Sequence, residues 1–142
     1  MKICLLIPRS DMFPTMGADF LKGLKLAFSS NHLEMPDFHI ESIGNGTDTA
    51  ITQQIEKLLL AEAVDMVIGF CGKEILNPLI KLFDAYQTPF IHTDFGANYM
   101  EYHHVSDYVI HQTLNLWQSC HTTGKYIAEN IGKNVALHCS FY

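Results

Sequence analysis

The chain has 142 residues, 48% hydrophobic and only 17% charged, with 9 Lys and Arg against 15 Asp and Glu for a net charge of −6. Disordered segments are charge-rich and poor in aromatics, so this is a core-forming chain with one domain's worth of material. An acidic balance without any Lys/Arg run excludes a nucleic-acid partner, and no apolar stretch approaches the roughly 20 residues that span a bilayer.

Lys2 to Ile7, continuously apolar from Ile3 and ending at Pro8, predicts a buried first strand. It is shorter than the apolar core of a signal peptide, which takes about 7–15 residues. Gly17–Ser30 places Phe20, Leu21, Leu24, Ala27 and Phe28 on one helical face, with Asp19, Lys22 and Lys25 opposite. Phe38–Ile43 alternates like a half-exposed strand. Gly44-Asn45-Gly46 then makes a turn, and Asp48 caps a helix with the stripe Ile51, Ile55, Leu58 and Leu59. Val64–Gly69 is a short buried strand. Asn77-Pro78 has the form of a cap and first helical residue, for a helix burying Leu79, Leu82 and Phe83. Pro89–His92 and Tyr108–His111 are the fourth and fifth strands. Leu116–Ile131 aligns Leu116, Cys120, Gly124, Ile127 and Ile131 before Gly132 ends the helix, and Val135–Cys139 is a last strand.

Apolar strands alternating with helices predict a three-layer, Rossmann-like (flavodoxin-like) α/β parallel sheet with helices on both faces. Right-handed crossovers gather the strand–helix loops along one sheet edge, outside the carboxyl ends of the strands, where ligands bind in such sheets. The loops to inspect are Pro8–Met16, Gly44–Asp48, Phe70–Asn77, Thr93–Asp107 and the segment after Cys139.

Several chemistries fail there at once. Pro8-Arg9-Ser10-Asp11 lacks the glycines and Lys-Ser/Thr pair of a phosphate loop, and Gly44-Asn45-Gly46 lacks the third glycine of a dinucleotide fingerprint. The third strand ends without a phospho-acceptor carboxylate, and no G-x-S-x-G elbow occurs. His92, His103, His104 and His111 surround Asp94, a set with metal-ligating chemistry. The adjacent pair His103-His104 matches no established ligand spacing, so no metal and no cofactor are assigned. The cysteines Cys4, Cys71, Cys120 and Cys139 form no CxxC pair and read as reduced thiols, mostly in the core. Cys71 lies in a cleft loop near a helix N-terminus that would lower its pKa, and Cys139 closes the last strand beside His138. Arg9 and Lys73 are the cations of these loops and suit a carboxylate ligand; Tyr99, Tyr102 and Trp117 supply apolar faces with polar tips.

The ordered series of segments resembles a known family. Ile3–Pro8 followed by Gly17-Ala18-Asp19-Phe20 and Gly23-Leu24-Lys25-Leu26-Ala27 resembles the opening of the type I periplasmic solute-binding proteins, the Leu/Ile/Val-binding group. Ile55-Glu56-Lys57-Leu58-Leu59 before Val64-Asp65-Met66-Val67-Ile68-Gly69 is similar to that family's "KLL … D-x-v-I-G" passage. Gln87-Thr88-Pro89-Phe90-Ile91 matches its "P-x-I" strand. Trp117-Gln118, Gly124-Lys125-Tyr126-Ile127-Ala128-Glu129-Asn130 and Lys133-Asn134-Val135-Ala136 resemble a further helix and strand.

The resemblance implies a receptor component of an ABC-type importer or a sensor, not an enzyme. Two lobes would close on a small ligand such as an amino acid, and a transporter permease would be the partner. It implies most of lobe I in 1–111, with a hinge crossing near Gln112-Thr113. The span 112–142 would then carry that crossing and the first helix–strand unit of lobe II, the remainder being absent. The family's ligand loops map onto Cys71-Gly72-Lys73 and Thr93-Asp94-Phe95-Gly96-Ala97, with Arg9 and Tyr142 as further candidates. Lys73 and Asp94 place charges where the family has small or hydroxyl residues, which favours a zwitterionic or polar ligand over leucine. The family implies a periplasmic or lipoprotein location; four free cysteines without a signal imply the cytoplasm. Two alternatives stay open: a thiol-dependent racemase or hydrolase using Cys71 and Cys139, and a non-binding fragment that self-associates through uncovered surface.

Overall fold

The computed structural model describes residues 1–11, 13–44, 50–61, 63–72, 75–94, 96 and 105–136. Their elements follow the order β1 (Lys2–Ile7), α1 (Met16–Ser30), β2 (Asp37–Ser42), α2 (Ala50–Ala61), β3 (Met66–Phe70), α3 (Leu76–Tyr86), β4 (Phe90–Asp94), β5 (Val109–Thr113) and α4 (Leu116–Asn130). The five strands form one parallel sheet in the order β2-β1-β3-β4-β5. Leu6 lies opposite Gly69, and Gly69 opposite His92, across the three central strands.

Side chains alternate across this sheet, and each face has its own cover. On one side Ile3, Leu5, Ile7 and Ile68 pack with Phe20, Leu21, Leu24 and Phe28 of α1. The intervening residues Cys4, Leu6, Val67, Phe90 and His92 are buried on the other side, where Phe83 of α3 stacks on Phe90 at 4.2 Å between ring centroids. The buried stripes of α2 (Ile51, Ile55, Leu58) and α3 (Leu76, Leu79, Ile80, Phe83) have the spacing of one helical face. The three-layer α/β architecture expected from the pattern is the one observed.

Several details differ from these expectations. The cap of α3 is Ile75, not Asn77, so the helix begins at Leu76 and Pro78 sits inside the first turn. The amide that proline lacks has no intrahelical acceptor at that point, so the longer helix loses no bond. Leu82 is only half-buried, and Ile80 takes the buried place. Ala27 is exposed on α1. The apolar stripe expected on α4 is exposed except for Ile127, which is half-buried. Val135 and Ala136 belong to no strand, and the rest of the expected last strand, like the expected cap Asp48, lies outside the described residues.

The chain divides into two compact units, one within Met1–Asp94 and Tyr102–Gln112, the other within Phe95–Glu101 and Thr113–Tyr142. The first carries the sheet core. The second, among described residues, is Gly96 with 113–136, chiefly α4. No helix among the described residues is long and apolar enough to cross a membrane.

Candidate functional site

The strand order reverses between β1 and β3: the chain moves outward from β1 to β2, then returns to place β3 on the other flank of β1. Loops leaving β1 and β3 therefore diverge and open a crevice at the carboxyl edge. Arg9 follows β1 with its side chain exposed, and its backbone N–H donates to the carbonyl of Gly44 at 2.5 Å, tying this loop to the end of β2. Cys71 and Gly72 follow β3, and Thr93 and Asp94 end β4. The sheet thus brings Arg9, Cys71, Gly72, Thr93 and Asp94 to one edge of the first unit.

Their individual settings differ. Thr93 Oγ1 donates to the carbonyl of Gly69 at 3.0 Å, so this hydroxyl braces β4 against β3. Gly72 is half-buried, and its carbonyl accepts the N–H of Ile75 at 3.4 Å, starting the turn into α3. Cys71 is buried, and its thiol is pushed up to about 12, first by burial and then by the charge of Asp94. This corrects the expectation of a helix terminus lowering it. Desolvation outweighs the local dipole. The same shift opposes the thiolate that a cysteine-based racemase or hydrolase requires.

Gly96 belongs to the second unit. Its φ is +64°, its carbonyl accepts the N–H of Trp117 at 2.8 Å, and a Cβ there would run into Thr113 Oγ1. Trp117 itself is 37% exposed, at the start of α4. Lys73 and Tyr142, with Tyr99, Tyr102, His103, His104, His138 and Cys139, lie outside the described residues.

The densest chemistry lies where β4 meets β5. Alternation puts Phe90, His92 and Asp94 on one face of β4, and Val109, His111 and Thr113 on one face of β5. His92 is fully buried. Its Nε2 lies 2.9 Å from the carbonyl of Cys71, a geometry that requires the proton on Nε2 and leaves Nδ1 as a lone pair. That Nδ1 lies 2.7 Å from Nδ1 of His111, and the two rings stack with centroids 4.8 Å apart. The other nitrogen of His111, Nε2, lies 3.7 Å from Asp94 Oδ1. That oxygen is buried and has no hydrogen-bond partner among the described residues. Burial holds the His92 imidazole below its ordinary pKa, and the Cys71 carbonyl opposes this shift.

The sequence pattern places His92 on the fourth strand and His111 on the fifth, with Asp94 in the loop between them. The structure extends β4 through Asp94 and holds the three in one cluster. The period-two signal is present as His92-x-Asp94, whereas the pairing of β4 with β5 is not legible in the chain. No family model matches this chain, and no curated protein matches it in sequence.

Proposed function

We propose that the first unit is the ligand-binding lobe of a type I solute-binding protein, serving an importer or a sensor. The observation that carries this reading is the parallel sheet of order β2-β1-β3-β4-β5, with polar loop residues Arg9, Gly72, Thr93 and Asp94 gathered at the carboxyl edge beside its reversal point. The ligand is a small polar or zwitterionic solute such as an amino acid. Arg9 offers a guanidinium to a carboxylate and Asp94 offers a carboxylate to an ammonium. In such receptors a second lobe closes over this edge, and the closed shape is what a permease recognises. A periplasmic or membrane-anchored location goes with that role.

One lobe supplies only part of a ligand's burial, so affinity of the 142-residue chain is expected in the millimolar range. The test is an NMR titration of this chain with a panel of amino acids. Amide shifts at Arg9, Gly72 and Thr93 that saturate with one panel member are the expected result. A panel that leaves these three amides unmoved at millimolar concentration removes the reading.

A further inference from the structure

We infer that His92, Asp94 and His111 form a binding site for a divalent transition-metal ion of the zinc class. One nitrogen from each imidazole and one carboxylate oxygen already lie within 4.8 Å of one another. Two imidazoles and a carboxylate are a donor set that zinc takes in three-ligand sites, leaving one tetrahedral position for water or a small anion.

Two further features point to a cation. The first is outer-shell support. His92 Nε2 faces the Cys71 carbonyl at 2.9 Å, the arrangement that fixes the tautomer of a ligating histidine and directs the lone pair of its other nitrogen inward. The second is a buried carboxylate oxygen without a hydrogen-bond donor among the described residues. The lone pair on His92 Nδ1 faces His111 Nδ1 at 2.7 Å, and the buried Asp94 Oδ1 has no donor within hydrogen-bond distance among the described residues. An ion bonded to both rings and to Asp94 replaces the shared proton and supplies the missing partner at once.

The donors must move to meet one ion, because ligand atoms that now lie within 4.8 Å of one another have to come to about 3.3 Å. Two nitrogens at zinc–nitrogen distances of about 2.0–2.1 Å stand about 3.3 Å apart in a tetrahedron, so the rings must separate by about 0.6 Å. His92 is held by burial and by the Cys71 carbonyl, so the movement falls to the partly exposed side chains of Asp94 and of His111, the latter on β5, the last strand of the sheet.

The test uses the full chain, freed of metal with a chelator and titrated with Co²⁺ by visible absorption, then with Zn²⁺ in competition with a chromophoric chelator. One Co²⁺ per chain with the d–d bands of a four-coordinate site is expected. His111→Ala and Asp94→Asn should each weaken binding by at least about 10-fold. His39→Ala, at the distant pair His39–Glu41, should leave it unchanged. His92→Gln risks misfolding because the site is fully buried, so the two more exposed positions decide the question. Equal Co²⁺ affinity in wild type and His111→Ala overturns the site. So does a doubly protonated His111 paired with Asp94, seen by 15N NMR with Zn²⁺ in excess.

Discussion

Gly69→Ala is the sharpest probe of how the sheet positions the cluster at the end of β4. Gly69 lies opposite Leu6 and His92 in the sheet, on the face covered by α3. A Cβ added there would stand 2.9 Å from Phe90 Cε2, 3.1 Å from Phe90 Cζ and 3.3 Å from Leu6 Cδ1. Phe90 cannot retreat easily, because it is fully buried and Phe83 stacks on it at 4.2 Å. Overpacking of this kind costs about 1–3 kcal/mol, while replacing a strand glycine with alanine returns about 0.5–1 kcal/mol of chain entropy. The net loss then spans about 0–2.5 kcal/mol and centres near about 1 kcal/mol, which for a chain of this size lowers Tm by about 3–4 °C. Thermal and denaturant unfolding measure it directly. Adding Phe90→Leu should recover part of the loss, and the double-mutant cycle should show coupling of about 0.5 kcal/mol or more. Phe90 also meets His92 edge-on, at 6.1 Å between centroids, so the His92 ring protons should shift in the NMR spectrum of Gly69→Ala. A cycle with no coupling refutes the argument that Phe90 has nowhere to go.

The thiols should separate by exposure: Cys120 is exposed while Cys4 and Cys71 are buried, so mass spectrometry after brief alkylation at neutral pH should find Cys120 modified and the other two intact. Rapid labelling of Cys71 would contradict a thiol held up at about 12 by burial and Asp94. In Gly96→Ala, a left-handed residue gains a Cβ against Thr113 and Asn115, costing at least about 1–2 kcal/mol locally; the emission of Trp117, the single tryptophan, should shift, and an unchanged spectrum would remove the strain argument. Because burial depresses the folded pKa of His92, the unfolded chain binds that proton first as pH falls through about 6.5, so this contribution to stability is full above that pH and declines below it. In chelator-treated protein, Tm should therefore fall between about pH 7.5 and about pH 5.5, with a shallower slope in a folded His92 variant. Identical slopes would show that His92 is not the group responsible.

What could be read from the chain by itself follows from how short-range each signal is. Apolar runs such as Ile3 to Ile7 and the helical spacing of Phe20, Leu21, Leu24 and Phe28 depend on neighbours a few residues apart, and the sheet with helices on both faces follows from their alternation. Periodicity misjudges α4, because a stripe of Leu116, Cys120 and Ile131 shows only that a face is apolar and cannot reveal whether anything covers it. It also misjudges the environment of Cys71, since a helix terminus is visible in sequence but the burial that outweighs it is not. No described helix is long and apolar enough to cross a bilayer. The contact between His92 and His111 was decided by tertiary structure alone: 19 positions separate them in the chain, and only the hydrogen-bonding of β4 to β5 brings their Nδ1 atoms to 2.7 Å. Pairing between strands is a long-range choice, made by which faces the helices bury, and no local pattern encodes it.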